Sequence, residues 1–176
     1  EALNAFVIRG IASNIPFQAA LLAHPKFVSG DFNTGFIAEQ YPKGFSRDAL
    51  PPEDPEFLLA LAVAAHRRRL GRAAGLSGQL QGHEYQIAEE FVVEVVDAAG
   101  RRQQTPVTVQ ADTTVFRVKF GEVDHVVRFD GAMREVAAHG SFDGAPFCAQ
   151  IERHGLRYRV SHGGASIDAH VMSPRA

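Results

Sequence analysis

Asp54-Pro55-Glu56-Phe57-Leu58-Leu59-Ala60-Leu61-Ala62-Val63-Ala64-Ala65 decides the fold. Asp54 can accept from the first free backbone N–H groups of a helix. Pro55 suits the first helical position, and the acids complement the helix dipole. From Phe57 onward no polar residue intervenes for nine positions. A surface helix shows a polar face, so this one must be buried on nearly all sides. It is shorter than the ~20 residues that span a membrane. His66-Arg67-Arg68-Arg69 puts cations at its C-terminal end, and Gly71 offers a left-handed cap. The sequence therefore predicts a helix over 54–70.

What buries it follows in the chain. Phe116, Val118 and Phe120 alternate with Arg117 and Lys119, and Val123, His125, Val127 and Phe129 with Asp124, Val126 and Arg128. The same alternation runs through 147–152, 156–160 (with Leu156, Tyr158 and Val160 on one face) and 165–171. Strands are also expected near 84–96 and 105–111. Period two marks one buried and one solvated face. Gly100, Gly121-Glu122, Asp130-Gly131, Asp143-Gly144, His154-Gly155 and Gly163-Gly164 punctuate the runs, and Asp-Gly between alternating runs marks a tight hairpin. About eight strands in an up-and-down meander close into a barrel, which removes exposed edges. A barrel of that size must be filled, and the apolar helix has no other place to go. The expected fold is mainly β with a central helix: an antiparallel barrel around, or capped by, the helix. A sandwich would leave most of the helix faces without a partner. If the helix does not fill the interior, the alternative is a lipocalin-like barrel that binds a small ligand without catalysis.

Upstream lies a different kind of segment. Phe6-Val7-Ile8 is a short apolar run ended by Arg9-Gly10. A helix is expected after Asn14, with Pro16 in its first turn and Phe17, Ala20, Leu21 and Leu22 along one face. His24-Pro25 should stop it. This zone has too little apolar surface to fold by itself, and it reads as the trailing part of something larger, a short α/β remnant. Residues 42–53, with Pro42, Gly44, Pro51 and Pro52, read as an extended linker.

The bulk numbers exclude several classes. The chain has 176 residues, net charge −2, 45% apolar and 22% charged residues, and a single cysteine, Cys148. It fits one domain plus an appendage. Nucleic-acid binding wants a basic footprint, and no apolar run is long enough for a membrane-spanning helix. One cysteine precludes an internal disulfide framework and fits a reducing compartment.

Three ordered motifs in the first segment carry a likeness. Ile11-Ala12-Ser13-Asn14-Ile15-Pro16-Phe17, then Leu22-Ala23-His24-Pro25-Lys26-Phe27, then Asn33-Thr34-Gly35-Phe36-Ile37-Ala38-Glu39 resemble the end of a biotin carboxylase module. Tyr41-Pro42-Lys43-Gly44-Phe45 extends the likeness toward alpha subunits of biotin-dependent acyl-CoA carboxylases of the propionyl-CoA type. The tail, from Ala169 to Arg175, also resembles the end of the connector domain of such subunits. The resemblance implies three regions: 1–41 as the end of the carboxylase module, 42–53 as linker, and 54–176 as a connector domain. That domain would be a barrel around a long helix, with a hook-like loop at 71–84. It would dock the carboxylase module to a carboxyltransferase beta subunit. The intact enzyme would use biotin, ATP and Mg to carboxylate propionyl-CoA or a similar acyl-CoA. It would work in the bacterial cytoplasm, or in the mitochondrial matrix of a eukaryote. None of the catalytic motifs of the family falls in this stretch: no Gly-rich ATP loop, no acidic metal pair, no lysine between two methionines. Lys119 lies between Val118 and Phe120 in a strand.

The candidate docking residues are Arg67, Arg68, Arg69 and Arg72 at the helix end, and Leu76, Ser77, Gly78, Gln79 and Leu80 in the loop. The arginines complement the helix dipole, and arginine is also enriched at interfaces. Leucines spaced by glycines are odd in a plain connection, and loops longer than about a dozen residues are often functional. The eight histidines show no zinc spacing. His154 and His162 sit at successive turns, about 17–20 Å apart, and His125 reads as a satisfied core histidine. Cys148, with His139 or His154 as base, would be the nucleophile of a standalone enzyme, but mid-strand it has no helix N-terminus to lower its pKa.

Overall fold

In the computed structural model, residues 2–8, 10–46, 54–97, 99–131 and 136–174 are described. The predicted helix forms and runs longer than its signals: α5 spans Pro55–Ala74. Asp54 Oδ1 accepts from the backbone N–H of Glu56 at 2.9 Å and of Phe57 at 3.2 Å. Gly71 does not cap the helix. Arg72, Ala73 and Ala74 are strong helix formers and offset the roughly 1 kcal/mol cost of a helical glycine. The end comes at Gly75, with φ −82° rather than a left-handed value.

Around α5 stand eight antiparallel strands in a closed barrel, each paired with its neighbours in sequence. They are β1 (Glu90–Val96), β2 (Arg102–Asp112), β3 (Val115–Phe120), β4 (Val123–Phe129), β5 (Ala137–Phe142), β6 (Ala145–His154), β7 (Arg157–His162) and β8 (Ala165–Met172). The seam pairs Val93 with Val171 and Val95 with Ala169. Inside, Leu58, Leu61 and Val63 alternate with Ala60, Ala62 and Ala64, all essentially inaccessible. The strands answer with Val93, Val109, Phe116, Val118, Val127, Phe129 and Val160. The alanines let the strand backbones close in while the larger side chains interlock. With the interior occupied by α5, the hollow ligand-binding barrel expected as the alternative finds no support.

Two local expectations are corrected, and one strand lies outside the alternation read from sequence. β1 begins at Glu90, not 84, so the connection from helix to barrel runs over 75–89. Leu156 lies in the β6–β7 turn, 69% exposed, rather than on the inward face. β5, Ala-Ala-His-Gly-Ser-Phe, has no run of large apolar residues. Its glycine has a reason: a Cβ on Gly140 would overlap the Arg128 carbonyl oxygen and lie 3.1 Å from the Phe147 ring.

The helix gives the barrel two poles, marked by Phe57 and His66, which lie nine residues or about 13.5 Å apart at 1.5 Å rise per residue. At the near pole Phe57 packs edge-on against Phe142, Phe147 and His162. His66 packs against Phe91 and Tyr158 at the far pole.

The first segment is helical among the described residues, with α1 (Ala2–Ala5), α2 (Ile15–Ala23), α3 (Pro25–Ser29) and α4 (Phe36–Gln40). Phe6-Val7-Ile8 forms no strand. Residues 47–53 of the expected linker lie outside the described residues. The segment is held on the barrel wall near the first pole. Gln150 Nε2 donates to the carbonyls of Asn4 (3.0 Å) and Phe6 (3.1 Å), and Gly163 N–H donates to Asn4 Oδ1. A Cβ at Gly164 would lie 2.5 Å from the Pro16 carbonyl and 2.8 Å from Ala20 Cβ, so glycine is what lets α2 approach. α1 packs over β5 and β6, and Cys148, on the outward register of β6, is buried there.

Candidate functional site

The far pole gathers the candidate residues. Arg67 and Arg68 are half-buried, while Arg69 and Arg72 are exposed on the last turns of α5. Arg68 donates through Nη2 to the Gly131 carbonyl, and its guanidinium lies 5.6 Å from the Phe129 ring centroid. Burial, then the charge of Arg72, lowers its pKa. Among the described residues Arg68 Nη1 and Arg67 Nε are buried with no hydrogen-bond partner, which is costly for a charged group. Arg69 Nε donates to the Tyr158 hydroxyl at 3.3 Å, and that hydroxyl lies 3.3 Å from His66 Nδ1. Burial first, then Arg69, Arg153 and His170, pushes His66 down to about 4. His66 is therefore neutral at pH 7.

Two residues of this pole are not among the candidates read from sequence. Arg153 and Tyr158 face each other across β6 and β7. With Ala65, Ile151, Arg68, Arg69 and Arg72 they line a recess of about 190 Å³. Arg153 sits next to the His154-Gly155 turn, and only strand pairing brings it beside α5. A local pattern carries no such signal.

The loop leaves from the same pole. Leu76 and Leu80 are 68% and 74% exposed, and Tyr85 is half-exposed. Ser77 is exposed, and Gly78 takes φ +86° with open space around it. Gln79 is bonded within the loop. Its Nε2 donates to the Ala74 and Leu76 carbonyls, and its Oε1 accepts from Tyr85 N–H at 2.6 Å. One side chain thus ties the helix end to the far side of the loop. The polar atoms of Gln79 are engaged within the loop.

The other chemistry considered from sequence has little footing. Among the described residues no group of three or more His, Cys, Asp or Glu could hold a metal ion. Cys148 Sγ lies 3.8 Å from His139 Nε2, but the cysteine is only 2% exposed. Lys119 is in β3, beside Glu122 at 4.0 Å, and not in a turn between methionines. His125 is buried and bonded on both ring nitrogens, to Asp143 and Glu56, at 2.7 Å each. No helix among the described residues is long and apolar enough to cross a membrane.

Comparison with known proteins adds to this geometry. The family described as "Propionyl-coenzyme A carboxylase BT domain" matches residues 58–176. The propionyl-CoA carboxylase alpha chain of Ruegeria pomeroyi is 36% identical over 175 residues, covering 99% of this chain and 25% of that one. The mitochondrial alpha chain of Caenorhabditis elegans is 38% identical over 73 residues, 42% of this chain and 10% of that one. Biotin carboxylase 1 of Bacillus subtilis is 58% identical over 37 residues, 21% of this chain and 8% of that one. The chain spans about a quarter of the length of its Ruegeria relative.

Proposed function

Because this chain belongs to the propionyl-coenzyme A carboxylase BT domain family, we propose that it is the connector of a biotin-dependent acyl-CoA carboxylase alpha subunit. Residues 1–41 are then the end of a biotin carboxylase module, 42–53 the linker, and 54–176 the connecting domain. Its two poles suit that task. The first segment is clamped beside one pole, and the hook and arginines stand at the other. The segment also carries exposed Phe6, Ile11, Leu22 and Val28, apolar surface that the rest of a carboxylase module would cover. The hook pole docks the carboxyltransferase beta subunit, through Leu76 and Leu80 on a loop held by Gln79, with Arg67, Arg68, Arg69 and Arg72 beside it. Biotin, ATP and Mg belong to the parts of the intact subunit on either side. The reaction of the assembly is carboxylation of propionyl-CoA or a similar acyl-CoA, in the cytoplasm of a bacterium or the matrix of a mitochondrion.

The observation that carries this reading is the pair of exposed leucines on a pinned loop. Deleting 76–80 in the intact alpha subunit is expected to abolish co-purification with the beta subunit. Biotin-dependent ATP cleavage, which belongs to the other module, should persist. Co-purification that survives the deletion overturns the hook assignment.

A further inference from the structure

Resting on that reading, the recess beside the hook says what the partner must bring. Arg69, Arg72 and Arg153 surround it, with Arg68 behind them. Among the described residues none of the four makes an ion pair with a carboxylate, although Arg101, Arg102, Lys119 and Arg159 do. Arg117, Arg128 and Arg157 on the barrel strands likewise have no carboxylate partner among the described residues, so what sets this cluster apart is that its cations converge on one recess. Among the described residues Arg68 Nη1 is buried with no partner. Dipole complementation explains cations on the last turn of α5. It does not explain Arg153, which comes from β6 and faces Tyr158 across the strand pair.

The occupant has a definite chemistry. A compact phosphate dianion is favoured by converging backbone N–H groups, as at a helix N-terminus. Here α5 presents its C-terminal end, whose carbonyls repel a concentrated negative charge. Guanidinium forks match carboxylates and phosphates alike, two bonds at a time. These forks are spread over two turns of α5 and over β6, so they suit several carboxylates along a chain rather than one ion. The floor is apolar, formed by Ala65, Ile151 and the Tyr158 ring, and would take an aliphatic side chain between them.

We propose that this recess receives an acidic segment of the carboxyltransferase partner, its carboxylates pairing with Arg69, Arg72 and Arg153 while the leucines of the hook bury beside it. The test uses the intact alpha subunit and purified beta subunit. Arg72→Gln with Arg153→Gln is expected to raise Kd about ten-fold at low salt, with the difference fading near 0.5 M salt as screening removes the pairing. Both side chains are exposed, and an unchanged melting temperature will show that the barrel still forms. A glutamate-only peptide of about ten residues should compete with the wild-type complex and leave the variant unaffected. Unchanged affinity in the double variant overturns the inference. So does competition by inorganic pyrophosphate without competition by the peptide, which would mark a phosphate site. If deleting 76–80 abolishes binding and the arginine variant binds normally, only the acidic-segment inference falls. Binding that survives the deletion removes the reading beneath it.

Discussion

Two histidines sit near opposite ends of α5 with opposite protonation preferences. Burial disfavours charge on His125, but its hydrogen bonds to Asp143 and Glu56, and their charges, outweigh burial and raise its pKa. The imidazolium then clamps the start of α5 to the β5–β6 turn, where Asp143 also accepts from Val126 N–H. Its contribution is complete below the unfolded value of about 6.5 and is lost as pH rises through the raised folded value. His66 behaves in reverse. With its folded value near 4, its contribution is complete above about 6.5 and is lost as pH falls toward 4. Thermal melts across pH should therefore fall away on both sides of an optimum near 6.5. His125→Gln should flatten the alkaline limb, and His66→Gln should flatten the acid limb between about 6.5 and 4. Unaltered limbs in the variants would defeat both assignments. His125 was legible in sequence as a satisfied inward histidine, because alternation places it on the apolar face of β4. Its partners were not, since Glu56 and Asp143 meet it only through folding. Arg153 escaped for the same reason: its neighbours on α5 lie far away in sequence.

Among the elements, α5 is the one whose identity the sequence states most clearly. Nine apolar positions after an Asp-Pro-Glu start left few alternatives, and the barrel followed from alternation. The less legible elements lacked strong local chemistry. β5 is a strand of small residues held by Phe129 and Phe147 on either side of Gly140. The last turn of α5 continues through a glycine because its successors favour helix. At the helix start, Asp54→Ala removes acceptors for two N–H groups and should cost about 1 kcal/mol. In the middle, Ala62 is inaccessible and surrounded by strands, so Ala62→Leu should cost about 1–3 kcal/mol by overpacking. Urea denaturation measures both. A neutral or stabilising Ala62→Leu would mean that the barrel interior has room, contrary to the packing described.

For the whole molecule, the question is how firmly the first segment is joined to the barrel. Gln150 is the main polar tie, with two bonds to backbone carbonyls across a large sequence separation. Gln150→Ala should increase amide exchange in 2–8 and 15–23 while leaving protection in β1–β8 unchanged. Equal exchange in both proteins would move the tie to the apolar contacts of α2 with the Gly163-Gly164 turn. The sequence had separated this segment from the barrel by composition but gave no hint of where the two meet.

The seam between β1 and β8 has a consequence for how the chain assembles. α5 precedes every strand in the chain, so during synthesis it leaves the ribosome before them. Local hairpins can appear quickly, but the last ladder joins strands from the two ends of the barrel sequence, the slow kind of contact. Until Ala169 and Val171 reach Val95 and Val93, both edge strands remain open to other chains. During synthesis that vulnerable interval ends only after β8 has left the ribosome.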